Sequence, residues 1–453
     1  MIGLVRDFIY AKISSILNST QSEDTLVPFD TLRVLLVAAV AGALVGIVGG
    51  CFRTSLNFIT EHYFSLIAYL HMIDHAWFIP GFIVVALITS FCVGIARMLV
   101  RLEPSTIGSG IQHVEAVMHG EATPSRFRAL PIKFFGGLLS IGSGMALGRE
   151  GPTVQMAAII GSECGKLFRH KVVEQSLLYT AVAGAGLSVA FNAPLSGIAF
   201  SFEEVSKKIT IKRLLVSFVA VTSGVLVFRS YFGNAIEFNV GDLLPVSGTS
   251  LYFYIGFAVL LSVIATLYSR TIIGSLNIAD SFLAISPVKK AMVVGFGVGA
   301  LSYFYPNLVG GGDIQVQSIL SEEYFLFPLL LLMIGRFFLG PVSYSTGVPG
   351  GIFSPILLMG SGIGALFVLV LNPVLSQAGI AQLDPIAFAL VGMAAFFTVV
   401  VRAPLTGILL AIEMSGKVSL IIPLLIVSVI CTIIPVLLKQ KPIYDALRDR
   451  VSQ

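Results

Sequence analysis

The chain has 453 residues, of which 56% are hydrophobic and only 11% charged, with a mean hydropathy of +0.94. Soluble domains carry about a quarter charged residues, so this composition excludes an ordinary soluble enzyme and describes a polytopic membrane protein. The net charge of +4 is too small to imply a nucleic-acid partner.

The first predicted element is amphipathic. Ile2, Val5, Phe8, Ile9, Ile13, Ile16 and Leu17 recur at helical spacing, so residues 1–30 read as a helix lying on the membrane surface. Asp7 and the polar stretch "NSTQSED" rule out a secretory signal in this segment. Apolar runs long enough to cross a bilayer follow around 33–52, 78–100, 214–233, 251–269 and 418–438. Between the first two lies a polar connection with His62, His71, Asp74 and His75, followed by Trp77. The histidines and aspartate have a spacing that suits a metal, but a polar turn is the simpler reading; Trp77 reads as an interfacial anchor. Neither a metal nor any cofactor is expected. Loops are short throughout, so residues 31–450 read as a single transmembrane domain.

Within that domain the apolar runs are punctured. "IGSGIQ" (107–112), "GREGPTVQ" (148–155) and "GVPGGIFSP" (347–355) place Gly or Pro where a helix would start midway through the membrane. A helix that begins there points unpaired N–H groups and its positive dipole end into a protein-lined cavity. Such an end binds anions without needing a full positive charge. Glu150, in the second of these motifs, is a carboxylate deep in apolar sequence, and intramembrane ionisable residues are functional by default.

The chain also echoes itself. "NAPLSGIAFSFEE" (192–204) matches "RAPLTGILLAIEM" (402–414) with Pro194 and Pro404 210 residues apart (404 − 194). "GREGPTVQMAAIIGSECG" (148–165) lines up more loosely with "GVPGGIFSPILLMGSGIG" (347–364), 199 residues apart (347 − 148). Two homologous halves follow, about 31–230 and 250–440, a plan common in transporters, whose sites lie where the halves meet. Glu413 repeats the place of Glu203, but Met414 stands beside it where Glu204 stands in the first copy. The densest basic cluster, Lys207, Lys208, Lys212 and Arg213, and the C-terminal Lys439, Lys441, Arg448 and Arg450 are assigned to the cytoplasmic side. Cys51, Cys92, Cys164 and Cys431 sit in or beside apolar segments and read as small buried hydrophobes, not as a disulfide framework.

These motifs, with "KPIYDAL" (441–447), resemble the signature elements of the CLC chloride channel and chloride/proton antiporter family. Its G-S-G-I-P, G-[KR]-E-G-P and G-x-F-x-P elements stand here as G-S-G-I-Q, G-R-E-G-P and G-I-F-S-P, and the match runs over roughly 35–450. The resemblance is to prokaryotic members without C-terminal regulatory domains. It implies an all-α polytopic fold of two inverted repeats with broken and re-entrant helices. It also implies a homodimer in a bacterial inner membrane, with cytoplasmic termini and an anion pathway in each subunit. The transported ions would be chloride and protons, the surroundings membrane lipid, and the protein no enzyme.

Residue by residue, the resemblance implies that the hydroxyls of Ser109 and Tyr444 and the backbone N–H groups of Ile352 and Phe353 bind chloride. Glu150 is implied as the gating glutamate, whose carboxylate occupies an anion site and leaves on protonation. Glu204 is implied as the internal proton-transfer residue, with Glu203 beside it helping protons or water reach it. Gly108, Gly110, Gly148, Gly151, Pro152, Gly350, Gly351 and Pro355 are the motif glycines and prolines that shape the loops. Gln112 departs from the pattern, standing where proline is usual; Ser109 is kept, which goes with chloride preference. Three other readings fit the residues less well. A passive chloride channel of the same fold differs in lacking an acid at the position of Glu204. An intramembrane hydrolase using Gly-Ser-Gly lacks a buried histidine base and any H-E-x-x-H. A fluoride exporter is disfavoured by Ser109 and Tyr444.

Overall fold

The computed structural model describes residues 28–73, 80–207, 209–246, 248–321 and 324–451. The amphipathic segment expected over 1–30, Lys208, and the Asp74, His75 and Trp77 part of the polar connection lie essentially outside these residues. His62 and His71, which are described, bond to the backbone carbonyls of Phe58 and Tyr303.

The described chain is helical. Seventeen α-helices run in order: α1 (Pro28–Ile73), α2 (Gly81–Leu102), α3 (Ile111–Met118), α4 (Ala129–Gly142), α5 (Glu150–Leu167), α6 (Val172–Phe191), α7 (Pro194–Phe200), α8 (Ile211–Phe232), α9 (Ser250–Ser281), α10 (Pro287–Phe304), α11 (Asp313–Ser321), α12 (Leu326–Ser345), α13 (Phe353–Gln377), α14 (Pro385–Val401), α15 (Pro404–Ser415), α16 (Ile421–Leu437) and α17 (Ile443–Val451). A π-helical turn, Ser201–Ser206, continues α7. Seven segments among the described residues are long and apolar enough to cross a membrane, including Thr31–Ile73, Ile211–Phe232 and Phe353–Gln377. The chain is a multi-pass membrane protein. The first run extends well beyond the apolar stretch 33–52. At about 1.5 Å per residue, α1 is roughly 70 Å long, more than twice a bilayer's hydrocarbon thickness, so it must tilt or project.

Several of the other helices, α7 and α15 among them, are too short to span, and the sequence explains why. α7 and α15 start at Pro194 and Pro404, each in the first helical turn, where proline's missing N–H costs nothing. α6 and α14 stop just before these starts with Asn192 and Arg402 in the left-handed conformation, at φ 55° and 72°. The same stop-and-restart therefore occurs in both copies of the echo. Around them, α5, α6, α13 and α14 are buried along most of their length. Long helices such as α1, α8, α9 and α16 instead present exposed Leu, Ile, Val and Phe side chains to the outside, the distribution a lipid solvent requires.

The two halves meet about a local twofold. Gly148 N–H donates to Gly351 O and Gly351 N–H to Gly148 O, both at 2.7 Å, making an isolated antiparallel bridge. Two residues after each glycine a buried helix begins, at Glu150 and Phe353, and each has proline at its third position. The structural offset is 203 (353 − 150), not the 199 of the looser sequence alignment. Matching "GREGP" to "GVPGG" by its glycines puts the second helix start four residues early. The cysteines are free: Cys164 and Cys431 are buried, Cys92 half-buried, and Cys51, contrary to expectation, exposed on α1.

Candidate anion site

Three broken segments converge at the centre. The loop before α3 carries Ser109 between Gly108 and Gly110, both left-handed at φ 60° and 89°. Those torsions are the reason for glycine on either side of the serine. The loop packs on the start of α5 so tightly that a Cβ on Gly151 would lie 2.2 Å from Ser109 Oγ. Any larger residue at 151 would occupy the space the serine hydroxyl faces. The Gly108 carbonyl accepts from Gly350 N–H at 3.0 Å and from Lys133 Nζ at 2.7 Å. One loop thus ties the residues just before α13 to a fully buried lysine on α4. Lys133 Nζ also donates to Thr106 O, at 3.1 Å. Its amine faces carbonyls instead of a carboxylate.

The hydroxyls of Ser109 and Tyr444 are both completely buried, and neither oxygen has a hydrogen-bond partner. Tyr444, near the start of α17, comes close enough to Ser109 for the two hydroxyls to interact. Buried hydroxyls normally find partners, so a convergent pair without any is a place for a ligand that accepts O–H bonds. Ile352 and Phe353 form the N-terminus of α13, both buried. The Phe353 ring is fixed by Phe397, Phe191 and Phe200, with ring centres 4.5, 5.3 and 6.4 Å away.

Glu150 begins α5 and is inaccessible to solvent. Its Oε1 accepts from Ser354 Oγ at 2.6 Å and its Oε2 from Ser354 N–H at 3.4 Å. The carboxylate of one half's helix therefore sits on the N-terminal turn of the other half's helix, where an anion would bind. Arg149 does not pair with it. Its guanidinium donates to Glu237 and lies 3.4 Å from Asp313, while Glu237 also pairs with Arg53 at 2.8 Å. These groups line a cavity of about 440 Å³ that opens above Gly148.

On the other side, Glu204 is buried in the π-helical turn, and its Oε1 has no partner. It interacts with Glu115 of α3, also fully buried. Lys207 pairs with Asp445 at 2.8 Å and Arg448 reaches Glu115 at 3.8 Å, so the two basic clusters meet at one end of the molecule.

Glu203 has another partner. Its carboxylate accepts from the N–H groups of Leu405 and Thr406, at 2.9 and 2.6 Å, and from Thr406 Oγ1, capping α15. Glu413 does the same for α7, accepting from Leu195 and Ser196 N–H at 2.9 and 2.8 Å and from Ser196 Oγ. The two glutamates are one reciprocal structural pair, 210 residues apart (413 − 203), which leaves Glu204 as the acid without a counterpart. Sequence reading missed Ser354, Glu115, Lys133 and the Arg53–Glu237 pair. Glu115 and Lys133 were open to the intramembrane-charge argument that singled out Glu150. Ser354 lay inside a motif already quoted.

A family model described as voltage gated chloride channel matches residues 89–435. The H(+)/Cl(-) exchange transporter ClcA of Vibrio parahaemolyticus is 35% identical over 431 residues, covering 92% of this chain and 89% of its own. That of Vibrio cholerae is 35% identical over 449 residues, covering 96% and 92%. The crystal structure of a slow cyanobacterial Cl-/H+ antiporter superposes with a TM-score of 0.86 at 32% identity, covering 93% of this chain and 98% of that one.

Proposed function

The chain belongs to the voltage gated chloride channel (CLC) family, and on that premise we propose that it exchanges chloride for protons across the membrane. The observation that carries the reading is the Glu150 carboxylate on the N-terminal turn of α13. In that position it is a tethered anion. While ionised it accepts charge-assisted bonds that chloride would otherwise receive. Protonation removes the charge, loosens those bonds and lets chloride take the place. Chloride and proton thus compete for one site, and competition couples their movement.

Ser109, Tyr444, Ile352 and Phe353 hold the chloride next to the gate. The proton reaches the gate from Glu204. In its favour, the structural glutamates Glu203 and Glu413 occur in both halves, whereas Glu204 is matched by Met414 in the second copy of the repeat. An acid present in one half alone serves something other than symmetric packing. The two basic clusters at the Glu204 end support a cytoplasmic orientation for that face, with the protein in the inner membrane of a bacterium and working as a homodimer.

Purified protein in liposomes, given a chloride gradient with the voltage clamped by valinomycin and potassium, tests this. Uphill proton movement is expected in the wild type and should vanish in Glu150→Gln and Glu204→Gln, with chloride flux persisting in the first. Chloride flux without proton movement in the wild type would make the protein a channel.

A further inference from the structure

Three cations that have no part in this scheme line one cavity. Its volume is about 240 Å³, and it lies where α2, α10 and α17 meet the Ser109 loop. Arg97 comes from α2, Lys290 from α10 and Arg450 from α17, and Gly108 forms part of the wall. Asp280 is the single carboxylate among the lining residues, and Arg450 pairs with it and with Asn277. Lys290 Nζ donates to Ala279 O at 2.6 Å, which uses one of the three N–H groups of an ammonium. Arg97 has no carboxylate partner among the described residues. It is half-buried, its Nε is buried without a hydrogen-bond partner, and the charge that acts on it is another cation, Arg101. Its guanidinium packs on the loop before α13, since a Cβ on Gly347 would lie 3.5 Å from its Cζ. Three cations against one carboxylate leave two positive charges in excess. A buried N–H without a partner, on a cation beside a like charge, is a place for an anion.

We propose that this cavity is a regulatory binding site for a phosphate group, taken from free phosphate or from a phosphate-monoester lipid headgroup. Such a group carries about two negative charges at neutral pH, which matches the excess. Guanidinium forks take phosphate oxygens two at a time, and an ammonium adds a point charge. Two arginines and a lysine on three helices therefore suit this ligand better than a halide. The cavity is smaller than the roughly 300–1,000 Å³ of pockets for drug-sized ligands, so it takes a phosphate group and not a whole nucleotide. The consequence for transport rests on the chloride-transport reading. Arg450 shares α17 with Tyr444, and Gly108 adjoins Ser109. A phosphate that bridges Arg450 to Arg97 and Lys290 pins α17 against the Ser109 loop and holds the two chloride-binding hydroxyls together. Chloride then exchanges more slowly at that end.

Chloride flux into liposomes containing the full-length protein tests this, with inorganic phosphate titrated on both sides at constant ionic strength. A second set, without free phosphate, compares phosphatidic acid with phosphatidylglycerol in the membrane. Flux is expected to fall with one probe or both, and the probe that acts identifies the source. Arg97→Gln is expected to raise the half-inhibiting concentration of that probe by about tenfold or more, the loss of one charged hydrogen bond. Each variant is scaled to its own uninhibited flux, so a merely structural defect leaves this concentration unmoved. Lys290→Gln gives the same readout should Arg97→Gln not fold. A wild-type flux indifferent to both probes, or inhibition unchanged in the variants, overturns the proposal. A wild type that carries no chloride would instead remove the transport reading itself. The site is then judged by calorimetric titration of inorganic phosphate and of phosphatidic acid, and absence of saturable binding of either overturns it.

Discussion

At the scale of single residues, the contact that matters most is Glu150 on Ser354. The 2.6 Å bond from Ser354 Oγ is charge-assisted and buried, and such bonds contribute about 1.5–3 kcal/mol. Ser354→Ala should therefore loosen the glutamate and let chloride compete better. Calorimetric titration at neutral pH is expected to show tighter apparent chloride binding, by about tenfold or more. The serine could also touch the ion directly, so the cycle with Glu150→Gln decides between the two. If Ser354 acts through the glutamate, its removal has no effect on chloride affinity once residue 150 is Gln. An equal loss of affinity in both backgrounds would instead make Ser354 a chloride ligand. Lys133 belongs to this scale as well. Fully buried, its amine donates to the Thr106 and Gly108 carbonyls and so anchors the loop that carries Ser109.

At the scale of elements, the molecule is organised by helices that begin inside the membrane and by what caps them. α7 and α15 start with proline, but their next N–H groups still need acceptors, and each takes a carboxylate from the opposite half. A side-chain cap contributes about 0.5–2 kcal/mol. Glu203→Ala and Glu413→Ala should each lower the unfolding midpoint in detergent, by similar amounts. Glu204→Gln, which removes no cap, should leave it nearly unchanged. A large loss for only one of the two caps would contradict their equivalence. Much of this was legible in the sequence. The repeated A-P-L-[ST]-G-I showed that the two segments are equivalent, though not that each begins a helix, and the Glu413–Met414 difference drew attention to Glu204. What could not be read was that each copy's glutamate caps the other copy's helix, because a repeat reveals equivalence and not contact. Nor could glycine spacing locate the start of α13 correctly: Gly347 and Gly350 belong to the approaching loop, and the helix begins only after Gly351 pairs with Gly148. The partners of Lys133 are carbonyls more than twenty residues away, and no local pattern announces them.

At the scale of the whole molecule, every group assigned to the site comes from one chain. The Gly148–Gly351 bridge, the Glu150–Ser354 bonds and the Ser109–Tyr444 hydroxyl pair all lie within a single chain, where its two repeated segments meet. A homodimer would then contain two complete sites, and neither would need a residue from the other. Dimers mixing wild-type and Glu150→Gln chains test this, made by co-expression with two different affinity tags and purified through both. Independent sites predict that the proton flux per dimer is half that of the wild type, while the altered subunit carries its chloride without coupling. A mixed dimer that pumps no protons at all would mean that the gate of one subunit controls the other. The seam within each chain would then be only part of the transport unit. Independence is favoured by where these bonds lie. The contacts that hold the Glu150 carboxylate are buried bonds between α5 and α13 of the same chain.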